Sequence, residues 1–281
     1  MANKTIALLH PGNMGATIGA AAATSGARVL WCSAGRSAAS RQRAEQAGLH
    51  EAKTVRDAVG QSDIVLSVCP PEAALSVAQQ LAQENFQGIY VDANAVSRAT
   101  AEQIGAVVTK AGARFVDGGI IGSPVKKAGT TRLYLSGAGA KDIAALFSQS
   151  MLDARAISEV PGEASALKVA YAAWTKGTDA LILAIRAYAQ YEGVDQALLE
   201  EWKISQPSLE QKTVRAAATA APKMWRYTGE MEEISAAFKV AGLPGGFHEG
   251  AARLCERLAG FKDMTDPPLP VDRVIAELLR R

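Results

Sequence analysis

Cysteine is scarce. The three present, Cys32, Cys69 and Cys255, lie far apart and form no CxxC pair, which argues against a disulfide framework or a cysteine-ligated zinc site and fits a reducing compartment. Charge of one sign is missing too. Thirty Lys and Arg residues face 28 Asp and Glu, for a formal net charge of +2, so there is no electrostatic footprint for nucleic acid or an anionic membrane. No apolar run approaches the ~20 residues of a membrane span. The run Ile6–Leu9 is too short for a signal-peptide core and is followed by Pro11 and Gly12. The three histidines, His10, His50 and His248, show no metal-ligand spacing, and no catalytic metal is expected. These absences lead to the expectation of a soluble, cytoplasmic protein acting on a small molecule. At 281 residues with 48% hydrophobic and 21% charged positions, the chain has globular composition and room for two domains.

Short apolar runs alternate with helix-like stretches in the first half. Strands are expected near Thr5–Leu9, Arg28–Cys32, Asp63–Cys69, Gly88–Asp92, Arg114–Asp117 and Arg132–Ser136. The early ones are continuously apolar, as parallel strands covered on both faces are. With helices between them, they predict an α/β fold: a doubly wound, Rossmann-type parallel sheet. A last strand near Ala156–Val160 and then Pro161-Gly162 precede a long helix to about Tyr191, followed by helical stretches to the end. The expected division is therefore 1–160, a nucleotide-binding domain, and 161–281, an all-helical one.

The first strand runs into His10-Pro11-Gly12-Asn13-Met14-Gly15. A dinucleotide fingerprint places glycines at positions one, three and six of such a turn. Here Gly12 and Gly15 hold positions three and six, and His10 stands at position one. The second glycine lets the backbone approach a pyrophosphate and the third permits tight helix–strand packing. The helix N-terminus offers free amides to the phosphates. Gly12, Asn13, Met14 and Gly15 are thus candidate cofactor contacts.

After the second strand, an NAD site places an acid about 20 residues past the glycines. No Asp or Glu occurs between Gly15 and Glu45. Ser33, Arg36 and Ser37 stand there instead, with Arg41 one turn on. Hydroxyls, an arginine fork and a helix N-terminus suit a ribose 2′-phosphate, which favours NADP(H) over NAD(H). The competing reading is that these arginines solvate an exposed helix.

These residues resemble the β-hydroxyacid dehydrogenase superfamily, which includes 6-phosphogluconate and 3-hydroxyisobutyrate dehydrogenases. Gly12-Asn13-Met14-Gly15 resembles its GxGxMG, and Gly35-Arg36-Ser37 the Asn-Arg-Ser/Thr of NADP-using members. Asp117–Gly122 with Ala128-Gly129 is similar in layout to its substrate loop. Gly162 to Lys168 reproduces the glycine-to-lysine spacing at the start of its interdomain helix. The helical half looks most like a branch with a distinct C-terminal domain. The resemblance implies a homodimer formed through the helical domains and a catalytic role for Lys168. Departures are Ile121-Gly122-Ser123 where Ser-Gly-Gly is usual, Tyr171 where an asparagine is usual, and Asp92-Ala93-Asn94 where Asp-x-Ser is usual.

Hydride transfer to or from a carbinol carbon needs a group that takes or gives the hydroxyl proton. A lysine amine, with an ordinary pKa near ~10.4, suits that task once a dry interdomain cleft and a cationic ring disfavour its charge. Tyr171 and Thr175 follow at three and seven residues, on the same helix face, as a second catalytic candidate and a substrate contact. Pro70 and Asn94 follow strands beside the expected cofactor, Asn94 as a contact to the nicotinamide ribose or as a cap of the next helix. Ser97, Gly122, Ser123 and His248 are further substrate candidates. The favoured reading is an NADP(H)-dependent alcohol/carbonyl oxidoreductase. An imine reductase and a non-catalytic NADPH-binding protein are the alternatives.

Overall fold

The computed structural model describes residues 4–280. They group into two compact units, one ending at Lys168 and the other beginning at Val169. In the first, β1 (Thr5–Leu8), β2 (Arg28–Cys32), β3 (His50–Ala52), β4 (Ile64–Ser67), β5 (Ile89–Asp92), β6 (Arg114–Gly122), β7 (Thr131–Ser136) and β8 (Asp153–Ser158) form one sheet in the order 3-2-1-4-5-6-7-8. All neighbours are parallel except β6 and β7, which are antiparallel. The sheet is therefore mostly parallel rather than wholly so. The first six strands follow the order of dinucleotide-binding sheets.

Alternate residues of each strand feed opposite faces. On β1, Ile6 and Leu8 enter one core, with Ile18 of α1 (Asn13–Thr24), Ala44 of α2 (Ala38–Gln46) and Ile143, which lies in a short later helix. Ala7 enters the other, with Ala58 of α3 (Val55–Gly60), Val77 of α4 (Pro71–Ala82) and Ile104 of α5 (Arg98–Lys110). Burial on both faces explains the uninterrupted apolar strands. The short helix carrying Ile143 is α6 (Ala140–Ala145), and α7 is the long helix Glu163–Tyr191.

β6 changes partners along its length. Arg114–Asp117 pairs with β5, whereas Asp117–Gly122 pairs with β7. Because β5 ends at Asp92, opposite Asp117, Gly118–Gly122 runs beyond the carboxyl end of the parallel part.

The second unit is helical: the rest of α7, then α8 (Asp195–Ser205), α9 (Leu209–Arg215), α10 (Tyr227–Val240), α11 (Gly246–Arg257) and α12 (Val271–Leu279). Between α9 and α10 the chain tightens from a π turn at Ala216–Ala220 into a 3-10 turn at Ala221–Arg226. The helix changes form there, just ahead of Pro222, which supplies no N–H donor. Met224, Met231, Ile234, Cys255 and Ile275 fill this unit's core. Among the described residues no helix is long and apolar enough to cross a membrane.

Candidate functional site

The turn after β1 is built around its glycines. A Cβ on Gly15 would run into the backbone carbonyl of His10, whereas nothing lies within 4 Å of one on Gly12. Gly15 thus lets α1 pack down on the strand, and Gly12 leaves open space beside the helix N-terminus. α1 carries no side-chain cap and no acid in its first turn, so its leading amides face a site suited to an anion. Asn13 is exposed and Met14 half-buried.

Around this turn, charge and unused polar atoms converge. Among the described residues, His10 Nδ1 and Arg36 Nε are buried without hydrogen-bond partners. Burial, helped by the Arg36 charge, pushes the His10 imidazole down to about 4. The same guanidinium acts on Cys69, whose thiol burial pushes up to about 12. The charge of Arg36, on the loop after β2, is thus felt at His10 after β1 and at Cys69 after β4, the loops beside which dinucleotides bind sheets of this order. An open glycine cradle and orphaned donors fit a dinucleotide.

Other arginines brace the loops. Arg43 Nε donates to the Pro11 carbonyl at 3.3 Å, tying α2 to the glycine turn. Arg41 donates to the Ser33 carbonyl at 2.8 Å and pairs with Glu51 at 3.3 Å. Arg41 is thus engaged within the fold, whereas Arg36 has a buried Nε without a hydrogen-bond partner. Glu51 sits on β3, an edge strand the sequence did not reveal. Ser37 is the N-cap of α2, accepting from the Ser40 N–H, and the Ser33 side chain is buried.

The Asn94 side chain is engaged within the fold. Asn94 is buried, its Nδ2 donates to Asp92 at 2.8 Å and Ser67 at 3.1 Å, and its Oδ1 accepts from the Cys69 N–H at 2.5 Å. The amide is spent on fastening the β4 and β5 loops together. Ser97 caps α5 through the Thr100 N–H at 3.3 Å, and Pro70 is exposed where it leads into α4.

Lys168 stands over the extension of β6. A Cβ placed on Gly119 would lie 3.0 Å from Lys168 Cβ and 2.7 Å from the Ala164 carbonyl oxygen. The glycine is what admits α7 so close. Gly122 adopts φ of +124, and Ser123 beyond it is exposed. The loop they open turns back to α1, where the Val125 N–H donates to Thr17 Oγ1 at 3.1 Å. Tyr171 is 44% exposed, and its carbonyl accepts from the Thr175 hydroxyl at 3.1 Å.

In the helical unit, His248 is buried against the edge of Phe238, centroids 4.8 Å apart. A Cβ on Gly177 would touch its Nε2 at 3.4 Å. His248 thus packs against α7 at Gly177. Nearby, Lys176 makes a half-buried ion pair with Glu230 and lies 4.3 Å from the centre of the Tyr227 ring. Lys176 and Glu230 both stand in the segments that carry the resemblance of the helical half, but their pairing spans 54 residues and left no signal in the sequence.

The His10 shift has a testable consequence. Its folded pKa lies below the ordinary 6.5, so the folded chain binds fewer protons there than the unfolded one. The His10 contribution to stability is intact above pH 6.5 and lost as pH falls toward 4. Asp92, which burial pushes up to about 7, acts oppositely as pH rises from 4. In urea titrations, the unfolding free energy of the natural chain minus that of His10→Gly is expected to grow by about 3 kcal/mol from pH 4 to 6.5. A flat difference contradicts this expectation.

The strand order, which reverses direction between β1 and β4, and the glycine turn define an NAD(P)-binding fold of the dehydrogenase and reductase class. Residues 5–158 match the family of NAD-binding domains of 6-phosphogluconate dehydrogenase, and the chain belongs to that family. Residues 189–258 match a domain of unknown function, DUF1932. An uncharacterized 28.5 kDa protein of Methanothermus fervidus is 33% identical over 172 residues, 61% of this chain and 66% of that protein. The match thus spans just under two thirds of that relative's length. The fold is shared with 3-hydroxyisobutyrate dehydrogenase of Mycobacterium tuberculosis, solved with L-serine, at TM-score 0.71 and 18% identity over 99% of this chain and 100% of that one. It is shared also with an imine reductase of Myxococcus stipitatus, solved with NADP+, at TM-score 0.57 and 19% identity over 98% and 100% of the two chains.

Proposed function

We propose that the protein is an NADP(H)-dependent oxidoreductase acting on a small alcohol/carbonyl pair, with Lys168 as general acid and base. The observation that carries this reading is the root of Lys168 packed over Gly119, on the stretch of β6 that passes the carboxyl end of β5. That is the edge onto which the glycine turn opens. When bound, the nicotinamide supplies or accepts the hydride. The chain's own part is proton transfer: the Lys168 amine gives a proton to the substrate oxygen in reduction and takes it in oxidation. Gly12, Asn13, Met14 and Gly15 hold the pyrophosphate, Arg36 and Ser37 the 2′-phosphate, and Gly122 and Ser123 border the substrate. Thr175 is a further substrate contact and Tyr171 a second hydrogen-bonding group.

A second reading, reduction of C=N, is favoured by Tyr171, an exposed phenol one turn beyond Lys168. A screen of hydroxy acids, aldehydes, ketones and imines, followed through NADPH absorbance, separates the two readings. Turnover of none of them would leave a non-catalytic NADPH-binding protein. Self-association belongs to the same proposal. Leu167, Tyr171, Trp174, Leu181, Ile185 and Tyr188 form an exposed apolar row along α7 at helical spacing, which supports a homodimer.

The cofactor choice turns on Arg36. A charge-assisted contact to phosphate is worth about 1.5–3 kcal/mol, so Arg36→Ala is expected to weaken NADPH binding ~10–100-fold and NADH binding much less. Titration calorimetry checks this. Equal loss for both nucleotides would refute the 2′-phosphate contact.

A further inference from the structure

Two carboxylates that this chemistry does not use lie side by side at the end of the sheet. Asp92 closes β5, Asp117 sits opposite it in register on β6, and both are fully buried. Their engagements differ. Asp92 is held locally, accepting from the backbone N–H and Nδ2 of Asn94 at 3.2 and 2.8 Å. Burial, together with the Asp117 charge, pushes its carboxyl up to about 7.

Asp117 instead reaches 48 residues along the chain. Its Oδ1 accepts from the Ser165 hydroxyl at 2.5 Å, and its Oδ2 from the Ser165 N–H at 2.9 Å and the Ser136 hydroxyl at 2.9 Å. The Ser136 oxygen in turn accepts from the Ala164 N–H at 3.0 Å. Two of the orphan amides that open α7 are therefore satisfied from strands β6 and β7. An anion at that end also meets the positive end of the helix dipole.

The period of a strand puts Asp117 and Gly119 on one face of β6, and the period of a helix puts Ser165 and Lys168 on one face of α7. The contacts match them in order. Asp117 grips Ser165, and Gly119 lies against the root of Lys168. One rung is polar and the other is a close steric approach, so the first turn of α7 has a single seat on β6.

We propose that Asp117 is a positioning residue for the Lys168 amine, its carboxylate fixing the register of the first turn of α7 on β6. The inference rests on the reading of Lys168 as the proton-transferring group. A plain helix cap would affect stability alone, whereas a positioning residue changes what Lys168 does in a chain that is still folded.

The test uses the full chain as Asp117→Ala, Asp117→Asn and Ser165→Ala. It reads acylation of individual lysines by peptide mass spectrometry, kcat and KM from NADPH absorbance, and the unfolding midpoint. Asp117→Ala is expected to lower kcat about tenfold or more with the nucleotide KM unchanged. Acylation of Lys168 should change about threefold or more, with Lys176 unmoved as internal reference. Asn keeps the shape and one acceptor and lets Ser165 turn its hydroxyl, so Asp117→Asn should recover most of both. Ser165→Ala should shift both measures in the direction of Asp117→Ala by a smaller step, and it carries the test should Asp117→Ala fail to fold. Natural kcat and natural Lys168 acylation in folded Asp117→Ala, or in Ser165→Ala, would overturn the proposal. Full turnover by Lys168→Ala would sink the acid/base reading and leave the acylation change standing, so the two failures are distinguishable.

Discussion

Lys168→Ala is expected to cut turnover of the best substrate by ~10²–10⁴, the usual worth of a positioned acid or base. NADP(H) affinity should hardly change. Around the nucleotide-binding elements, Arg43 ties α2 to the turn after β1, Asn94 fastens the loop after β4, and Gly15 packs on the His10 carbonyl. The lysine sits on α7, above β6. On the proposed assignment, removing its amine deletes the proton-transferring group and leaves the cradle intact, so kcat and kcat/KM should fall together. Stopped-flow hydride transfer and calorimetric nucleotide titration measure the two halves separately. A variant that turns over normally, or that loses nucleotide binding in proportion, would remove the assignment.

The two turn glycines give the second large effect, and they should fail differently. A Cβ on Gly15 meets backbone, the carbonyl of His10, which cannot swing aside as a side-chain tip can. Gly15→Ala must push α1 off β1, at about 1–3 kcal/mol or more, and it displaces the amides that face the phosphates. Both stability and nucleotide affinity should fall. A Cβ on Gly12 has nothing within 4 Å, and φ of −71 there is open to alanine. Gly12→Ala should keep the unfolding midpoint and still weaken nucleotide binding ~10–100-fold, because the methyl fills the space a pyrophosphate needs. Unchanged binding in Gly12→Ala would mean that the nucleotide does not approach this turn.

Local chemistry made part of this legible before any coordinates. The strand–turn–helix around Gly12 and Gly15 is written in consecutive residues, and so are the continuous apolar runs that become β1, β2, β4 and β5. β3 escaped because His50–Ala52 is a three-residue edge strand with no apolar run. The extension of β6 through Gly122 reads as a glycine loop, yet Ile120 and Ile121 pair there with β7. Antiparallel direction in β7 leaves no mark on a six-residue apolar segment. The fastening of Asn94 to Ser67 and Cys69, and of Asp117 to Ser165, joins residues 25 to 48 positions apart, beyond the reach of any periodicity. Sequence reasoning therefore singled out the glycine turn and the lysine as candidates, and missed the buried polar contacts around them.

A crystal structure of the protein with NADP+ and a substrate analogue tests the central claim most directly. The expected result is the pyrophosphate on the leading amides of α1, the 2′-phosphate on Arg36, and Lys168 Nζ within hydrogen-bond reach, ~2.6–3.2 Å, of the reacting oxygen. A nucleotide seated away from the Gly12 turn, or an amine pointing away from that oxygen, would contradict it.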